Sequence, residues 1–150
     1  MRMAIAMAVE NARSGLGGPF AALVVRDEEL IAKGANRVSA TNDPTAHAEI
    51  IAIREACRAL GAFQLIGCDL YTSCEPCPMC AGAIYWARPA RVFYAAAAAD
   101  SAAAGFEDAF IGEQLRLPPE ARRISMAQLL RDEAQAPFRA WEQNAGRILY

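Results

Sequence analysis

The chain has 150 residues, of which 55% are hydrophobic and 21% charged, and its net charge is −2, a composition typical of one globular soluble domain. Polynucleotide binding is disfavoured, because it needs clustered positive charge and the basic residues here form no cluster beyond Arg122-Arg123. No apolar run approaches the roughly 20 residues of a membrane span, and the five cysteines suit a reducing cytoplasm better than a disulfide framework.

Hydrophobic periodicity and turn residues divide the chain into helices and strands. In chain order the predicted elements are helix 2–14, strands 19–26 and 30–36, helix 45–60, strand 68–73, helix 77–86, strand 90–95, a short fifth strand at 124–128 and helix 129–145. Gly34 indicates a bulge or a close backbone approach, and Thr45 is the predicted N-cap of the second helix. The alternation of strands and helices predicts an α/β fold in which parallel strands are joined by right-handed crossovers.

The residues most informative about chemistry lie in two short motifs at the predicted starts of two helices. The first contains Glu49 and His47, the single histidine of the chain, and the second contains Cys77 and Cys80. Zinc prefers imidazole nitrogen and thiolate sulfur, and a catalytic zinc ion takes three protein ligands and leaves its fourth position to water. Glu49 is then placed to handle the proton of that water, and H-x-E…P-C-x-x-C is the signature of zinc deaminases. These residues predict a catalytic zinc site.

The cysteines have other readings. A Cys-x-x-Cys pair also occurs in structural zinc sites and redox motifs, and the spacing of Cys74, Cys77 and Cys80 resembles part of an iron–sulfur ligand run. However, the two remaining cysteines fall in a predicted helix and at the start of a predicted strand, so a suitably placed fourth cysteine is missing. A structural zinc site would want four protein ligands and would have no use for Glu49. The catalytic reading is therefore favoured.

The same motifs resemble those of the cytidine deaminase superfamily and, within it, most closely those of the small bacterial guanine deaminases. The likeness covers nearly everything from Gly15 onward. Its most specific segments are Gly17–Phe20, Asn42–Glu49, Tyr71–Pro89, Gly105–Asp108 and the terminal tyrosine. The resemblance implies a three-layer α/β/α sandwich around a five-stranded mixed sheet. The alanine-rich segment Ala95–Ala104 departs from the family pattern, because relatives carry charges there.

The resemblance also implies a role for each site residue. One Zn²⁺ per chain would be held by His47, Cys77 and Cys80, and Glu49 would shuttle protons. Asp108 resembles a second proton-handling group. The implied substrate-binding residues are Asn36, Ala48 through its backbone, Phe20 and Trp86 as walls for the base, and Tyr150 as a lid supplied by the partner subunit of a homodimer.

Several of these residues have a plain structural reading as well. Phe20 and Trp86 are, by composition alone, more often core aromatics than platforms for a base. Asn36 follows a strand and is compatible with a simple turn. Asp108 has acidic neighbours and is compatible with a solvated acidic loop. The residues alone leave these alternatives open, whereas the family resemblance favours the substrate-binding and catalytic roles.

The function implied by the resemblance is hydrolytic deamination of guanine to xanthine and ammonia, a reaction of purine catabolism that acts on a small purine base. The alternatives are a tRNA-specific adenosine deaminase, a deaminase of another aminated base or nucleoside, and a non-catalytic zinc-binding interaction protein. The presence of Glu49 argues against the last. A tRNA enzyme should carry a basic, aromatic-rich tail, which Arg131-Asp132-Glu133 and Ile148-Leu149-Tyr150 do not supply.

We expect residues 1–150 to form a single deaminase domain, with residues 146–150 as a C-terminal arm. Three bulky apolar residues follow Gly146-Arg147, and such a segment is more often docked than frayed. The arm could dock on its own domain. The family resemblance favours its exchange between the two subunits of a symmetric dimer, so that Tyr150 would cap the partner's pocket.

Overall fold

A four-stranded mixed sheet, in the order β2-β1-β3-β4, organises the fold. The computed structural model describes residues 1–149, so the predicted lid residue Tyr150 lies outside the described residues. The strands are β1 Ala21–Arg26, β2 Glu29–Ala35, β3 Asp69–Cys74 and β4 Arg91–Ala96. The helices are α1 Arg2–Ser14, α2 Val38–Thr41, α3 Ala48–Leu60, α4 Pro78–Ala87, α5 Ala98–Ala103, α6 Ala109–Arg116 and α7 Ala136–Gln143, with 3-10 turns at Pro119–Ala121 and Glu133–Gln135.

β1 and β2 form an antiparallel hairpin whose two turn residues, Asp27 and Glu28, have φ values of 50° and 65°. Positive φ at both positions is the requirement of the tight hairpin turn that matches strand twist. The bulge of this hairpin lies between Val24 and Val25, not at Gly34. Gly34 instead marks a close approach, because a Cβ there would stand 2.3 Å from the carbonyl oxygen of Ala48. β2 is thereby packed directly on the first turn of α3.

The strand directions bring several chain segments to one edge of the sheet. β3 runs parallel to β4 and antiparallel to β1. Parallel pairing is therefore confirmed for β3 and β4, whereas β2 and β3 share a direction but are separated by β1. The carboxyl ends of β2, β3 and β4 consequently meet at the edge where β1 begins. The loops entering α3 and α4 start from this edge.

The core lies on both faces of β1. Ala22 and Val24 belong to a buried cluster with alanines of α3, and small side chains on that helix let its backbone approach the sheet closely. The alternate residues Ala21 and Leu23 are also buried, and they point to the opposite face. α1 packs on β1 and β3 through its buried Ala4 and Ala8. Burial on both faces agrees with the predicted layered α/β class.

Several predicted elements differ from the observed ones. α2 was not predicted; it occupies residues 38–41, between the predicted strand 30–36 and the predicted helix 45–60. Thr45 is not the N-cap of α3, because its hydroxyl donates to Asp43 at 2.7 Å and the helix begins after His47. The predicted strand at 124–128 is wrong: residues 124–128 form no strand, and the described residues contain four strands rather than five. In the described part of the chain, no helix is both long and apolar enough to cross a membrane.

The chain divides into two compact units, Met1–Asp108 and a second unit that begins at Ala109. The first unit contains the whole sheet and helices α1 to α5. The second contains α6, α7 and the two 3-10 turns, and none of its described residues is buried. α6 was not predicted, and α7 is shorter than the helix predicted over residues 129–145. The assignment of residues 1–150 to a single domain stays a prediction.

Candidate active site

Three potential metal ligands converge where α3 and α4 begin. His47 is the N-cap of α3 and Cys77 the N-cap of α4, both with extended backbone, and Cys80 lies in the first turn of α4. The Nδ1 atom of His47 is 3.4 Å from the Sγ atom of Cys77 and 3.6 Å from that of Cys80. Pro78 at the first helical position fixes the entry of α4, where proline costs little. The local structure predicted from the two motifs is therefore observed.

The spacing of these atoms fits tetrahedral zinc. With Zn–N and Zn–S bonds of about 2.1 and about 2.3 Å, nitrogen and sulfur ligands of one tetrahedral ion stand about 3.6 Å apart. The two N···S separations here, 3.4 and 3.6 Å, are close to that value, and the three ligand atoms all lie within 4.8 Å of one another. One nitrogen and two sulfurs also form a donor set that favours zinc over magnesium and calcium, which prefer oxygen ligands.

Hydrogen bonds and burial within the cluster shift the pKa values of its ligands in different directions. Hydrogen bonds from Cys80 and His47 lower the pKa of the Cys77 thiol to about 4, against its partial burial. The pKa of Cys80 is raised, because its thiol donates to Cys77 and is buried beside Glu49. The pKa of His47 is raised mainly by its hydrogen bond with Cys77. The lowered pKa of Cys77 favours its thiolate, the form in which cysteine binds zinc.

Glu49 lies beside the cluster in the first turn of α3. The residue is only 6% exposed, and this burial raises the pKa of its carboxyl group. Hydrogen bonds with its own backbone and with the Cys80 thiol act in the opposite direction on this pKa. A buried carboxyl group whose pKa is raised, next to a candidate metal site, has the properties of a general acid–base.

Asn36 stands at the end of β2 with its amide oxygen fully engaged. The side chain is 7% exposed, and its Oδ1 accepts from the backbone N–H groups of Gly18 at 3.1 Å and Val38 at 3.3 Å. Two donors to one atom settle which end of the amide is oxygen. The Nδ2 group is therefore the end of this side chain that can donate to a ligand.

The remaining predicted site residues differ in their burial and in their relation to the metal cluster. Phe20 meets Phe106 edge-on, with ring centroids 4.9 Å apart. Asp108 is half-buried, and its charge helps to raise the pKa of His47. Ala48 is fully buried in the first turn of α3, directly after His47.

Trp86 is 65% exposed and follows Cys80 by six residues, which places it about 9 Å further along α4 and on a different helix face. Its role as a wall of the base stays a prediction.

Two residues near the site were not identified from the sequence. Asn11 of α1 is 4% exposed and donates to the backbone carbonyl groups of Gly18 and Asn36. Its position in the sequence could have indicated a role, because Asn11 places a polar side chain on the same helix face as the buried Ala4 and Ala8. Phe106 contacts Phe20 from a separate segment, and nothing in the spacing of the sequence links the two.

Comparison with known proteins gives four results. Residues 1–96 match the family described as the cytidine and deoxycytidylate deaminase zinc-binding region. A guanine deaminase from Bacillus subtilis is 53% identical over 150 residues, 100% of this chain and 96% of that protein. The X-ray structure of guanine deaminase from Bacillus subtilis matches with a TM-score of 0.97 over 99% of this chain and 95% of that one. A tRNA-specific adenosine deaminase from Agrobacterium fabrum is 53% identical over 78 residues, 52% of this chain and 51% of that protein.

Proposed function

The chain belongs to the cytidine and deoxycytidylate deaminase zinc-binding family, and from this we propose that it hydrolyses guanine to xanthine and ammonia. The proposal rests on the share of the chain that each similarity covers. Similarity to the Bacillus subtilis guanine deaminase extends over 100% of this chain, whereas similarity to the Agrobacterium fabrum tRNA deaminase covers 52% of it. The zinc motifs are common to both groups, so the specificity for guanine is argued from the rest of the chain.

One zinc ion per chain would be held by His47, Cys77 and Cys80, whose ligand atoms have the required spacing. Bound zinc would lower the pKa of water toward about 7 and so supply a nucleophile at neutral pH. The helix N-termini that carry these residues favour the thiolate form of the ligands. The cluster therefore suits a catalytic rather than a purely structural ion, since it offers three protein ligands and not four.

Glu49 moves the protons of the reaction. Hydrolysis forms a bond between C2 of guanine and the oxygen of water and breaks the bond between C2 and the amino nitrogen. Glu49 takes a proton from the attacking water and delivers it to the ring nitrogen N3. It then takes the second proton of that water and delivers it to the amino nitrogen, so that ammonia leaves as the C2 carbonyl group of xanthine forms. Its burial supports this role, because a carboxyl group whose pKa is raised exchanges protons more readily near neutral pH.

The substrate contacts follow from the donors and acceptors of guanine. The N1–H and 2-amino groups donate, so Asp108 is proposed as their acceptor and as a second proton-handling group. The Nδ2 group of Asn36 is proposed to donate to an acceptor of the purine, and the backbone of Ala48 to make a further contact. Phe20 and Trp86 are proposed to wall the base.

Incubation of the zinc-loaded enzyme with guanine tests the proposed reaction. We expect xanthine and ammonia to appear in equal amounts and continuously, measured by chromatography and by an ammonia assay. Adenine, cytosine and the corresponding nucleosides serve as comparison substrates at the same concentration. Absence of xanthine, or faster ammonia release from one of the comparison substrates, would contradict the proposal.

A tRNA-specific adenosine deaminase is the second candidate, because 53% identity over 78 residues covers the zinc motifs of such an enzyme. The net charge of −2 weighs against it, since RNA binding relies on neutralising phosphates. A deaminase of another base or nucleoside uses the same chemistry, and the substrate comparison above distinguishes it.

A homodimer with exchanged C-terminal segments is proposed on the exposed apolar surface of both units. None of the described residues after Asp108 is buried, although Ile124, Leu129 and Leu130 are large and apolar. In the first unit, α4 and β4 border a groove of about 610 Å³ lined partly by Tyr85, which is 84% exposed. Extended apolar surface that is exposed in a single chain is typical of a protein interface. A second copy of the chain is the proposed partner, with its Tyr150 as a lid over the site.

Deletion of Leu149 and Tyr150 tests the exchanged arm. We expect the shortened chain to keep its zinc and its fold but to lose kcat/KM for guanine sharply, because the site would lose its lid. Mixing this chain with a Glu49→Gln chain should restore activity, since one site of each hybrid dimer combines an intact Glu49 with an intact tail. Ammonia release is measured after the subunits have exchanged, and native mass spectrometry shows how many hybrid dimers have formed.

A chain that carries both defects is the control for that mixture, because it cannot complement the Glu49→Gln chain. Hybrid dimers that form without any return of activity would show that the tail does not act across the dimer.

The cellular setting is proposed from the cysteines. All five cysteines of the chain are free, which suits a reducing compartment such as the cytoplasm. Guanine hydrolysis there would serve purine catabolism, since it removes the exocyclic amine of the base as ammonia.

A further inference from the structure

We propose that Asn11, on α1, is a positioning residue that acts on the reaction through Asn36. The proposal rests on the proposed function, in which Asn36 contacts the purine. The hydrogen-bond partners of the Asn11 side chain are Gly18, Asn36 and Arg37, not the metal ligands or Glu49. Its side chain instead ties together the loop before β1 and the end of β2, which are the two segments that hold the Asn36 amide in place.

All polar groups of the Asn11 side chain are used in this connection. The Nδ2 group donates to the carbonyl oxygen of Gly18 at 2.8 Å and to that of Asn36 at 3.0 Å. The Oδ1 atom accepts a hydrogen bond from the Arg37 guanidinium group. Because the side chain is 4% exposed, water cannot readily replace these partners.

The same segments orient the Asn36 amide. Gly18 accepts from Asn11 through its carbonyl group and donates through its N–H group to Asn36 Oδ1 at 3.1 Å. The backbone N–H group of Asn36 donates to the carbonyl oxygen of Phe20 at 3.0 Å. Asn11, Gly18 and Asn36 thus form a closed hydrogen-bonded ring. A change at Asn11 is transmitted to the Asn36 side chain through one intervening residue.

The loop before β1 packs closely against the residue that follows β2. A Cβ on Gly17 would stand 2.1 Å from the carbonyl oxygen of Asn36, so the loop backbone lies directly against β2. Arg37, which donates to Asn11, also donates through its backbone N–H group to the carbonyl oxygen of Ala46 at 2.9 Å. Ala46 immediately precedes His47. α1 is therefore connected to both the loop before β1 and the segment that enters the candidate metal site.

The kinetic test is the Asn11→Leu substitution, which keeps the approximate size of the side chain and removes its hydrogen bonds. We expect kcat/KM for guanine to fall by about 10- to 100-fold, the cost of slightly misplacing a substrate contact. Zinc content should not change. Asn11→Asp keeps the acceptor for Arg37 but removes the donors, so it should reproduce most of the loss, and it serves if Asn11→Leu fails to fold. Ser14→Ala is the matched control, because Ser14 bonds only within and just after α1.

A double-mutant cycle with Asn36→Ala distinguishes positioning from a general structural effect. If Asn11 acts through Asn36, the loss in kcat/KM caused by Asn11→Leu should largely disappear in the Asn36→Ala protein. Amide hydrogen exchange at Gly18, whose N–H group bonds to Asn36, should become faster in Asn11→Leu and stay unchanged in Ser14→Ala.

The same fold loss in both backgrounds, or an unchanged kcat/KM despite faster exchange at Gly18, would overturn the assignment of Asn11. A wild-type enzyme that does not convert guanine would instead overturn the proposed function, and the assignment with it.

Discussion

Glu49→Gln is expected to reduce kcat for guanine by about 10²- to 10⁴-fold, the usual contribution of a positioned general acid–base. The amide is nearly the same size as the carboxyl group, but it cannot accept a proton from water and pass it on. Since Glu49 is not one of the three clustered ligands, the protein should retain its zinc. Steady-state ammonia release and metal analysis of the same preparation measure both quantities.

Glu55→Gln is the matched control for that substitution. It makes the same chemical change on the same helix, at a residue that is partly exposed and paired with Arg58 at 2.5 Å on the helix surface. Exposed pairs of this kind contribute little to stability, so this variant should turn over guanine at the wild-type rate. Near-normal kcat for Glu49→Gln would show that another group shuttles the protons.

Cys80→Ser is expected to abolish both zinc binding and turnover. Cys80 is fully buried and supplies one of three ligand atoms, and two protein ligands rarely hold zinc. In the wild-type protein, a chelator should likewise remove activity, and added zinc should restore it. Zinc per chain, measured by plasma mass spectrometry, should be close to one in the wild type and close to zero in the variant.

Cys57→Ser provides the comparison for the loss of a thiol as such. Cys57 lies on α3, half-buried and outside the metal cluster, so this variant should keep both zinc and activity. Retention of about one zinc per chain and of wild-type turnover in Cys80→Ser would contradict the assignment of the ligands.

The metal cluster could be predicted from the sequence because its parts are local. His47 and Glu49 are two residues apart, and Cys77 and Cys80 are three apart, each pair at the start of a helix. The chemistry of the ligands demands that the two pairs meet. Gly34 was also informative, because a glycine inside a strand indicates either a bulge or a close approach, and the Ala48 backbone supplies the second.

Contacts between distant segments could not be predicted in this way. The hydrogen bonds of Asn11 with Gly18 and Asn36 depend on how α1 lies against the sheet, which periodicity does not specify. The insertion of β1 between β2 and β3 is equally non-local, since the crossover through α3 sets only their common direction. The N-cap of α3 was predicted wrongly, because the Thr45 hydroxyl donates a hydrogen bond to the Asp43 carboxylate.

The predicted fifth strand failed for a related reason. Residues 124–126 alternate apolar and polar side chains, but a strand requires a paired neighbour as well as a pattern. The described residues supply no such neighbour, and Ile124 is 81% exposed.

A competition between guanine and an adenosine-containing tRNA anticodon stem-loop, in one reaction with the zinc-loaded enzyme, tests the proposed function most directly. We expect each ammonia released to be matched by one xanthine, with no inosine formed in the RNA, because the chain is acidic and its similarity to a guanine deaminase covers its full length. Inosine that accumulates in the stem-loop faster than xanthine accumulates in solution would contradict the assignment of guanine as the substrate.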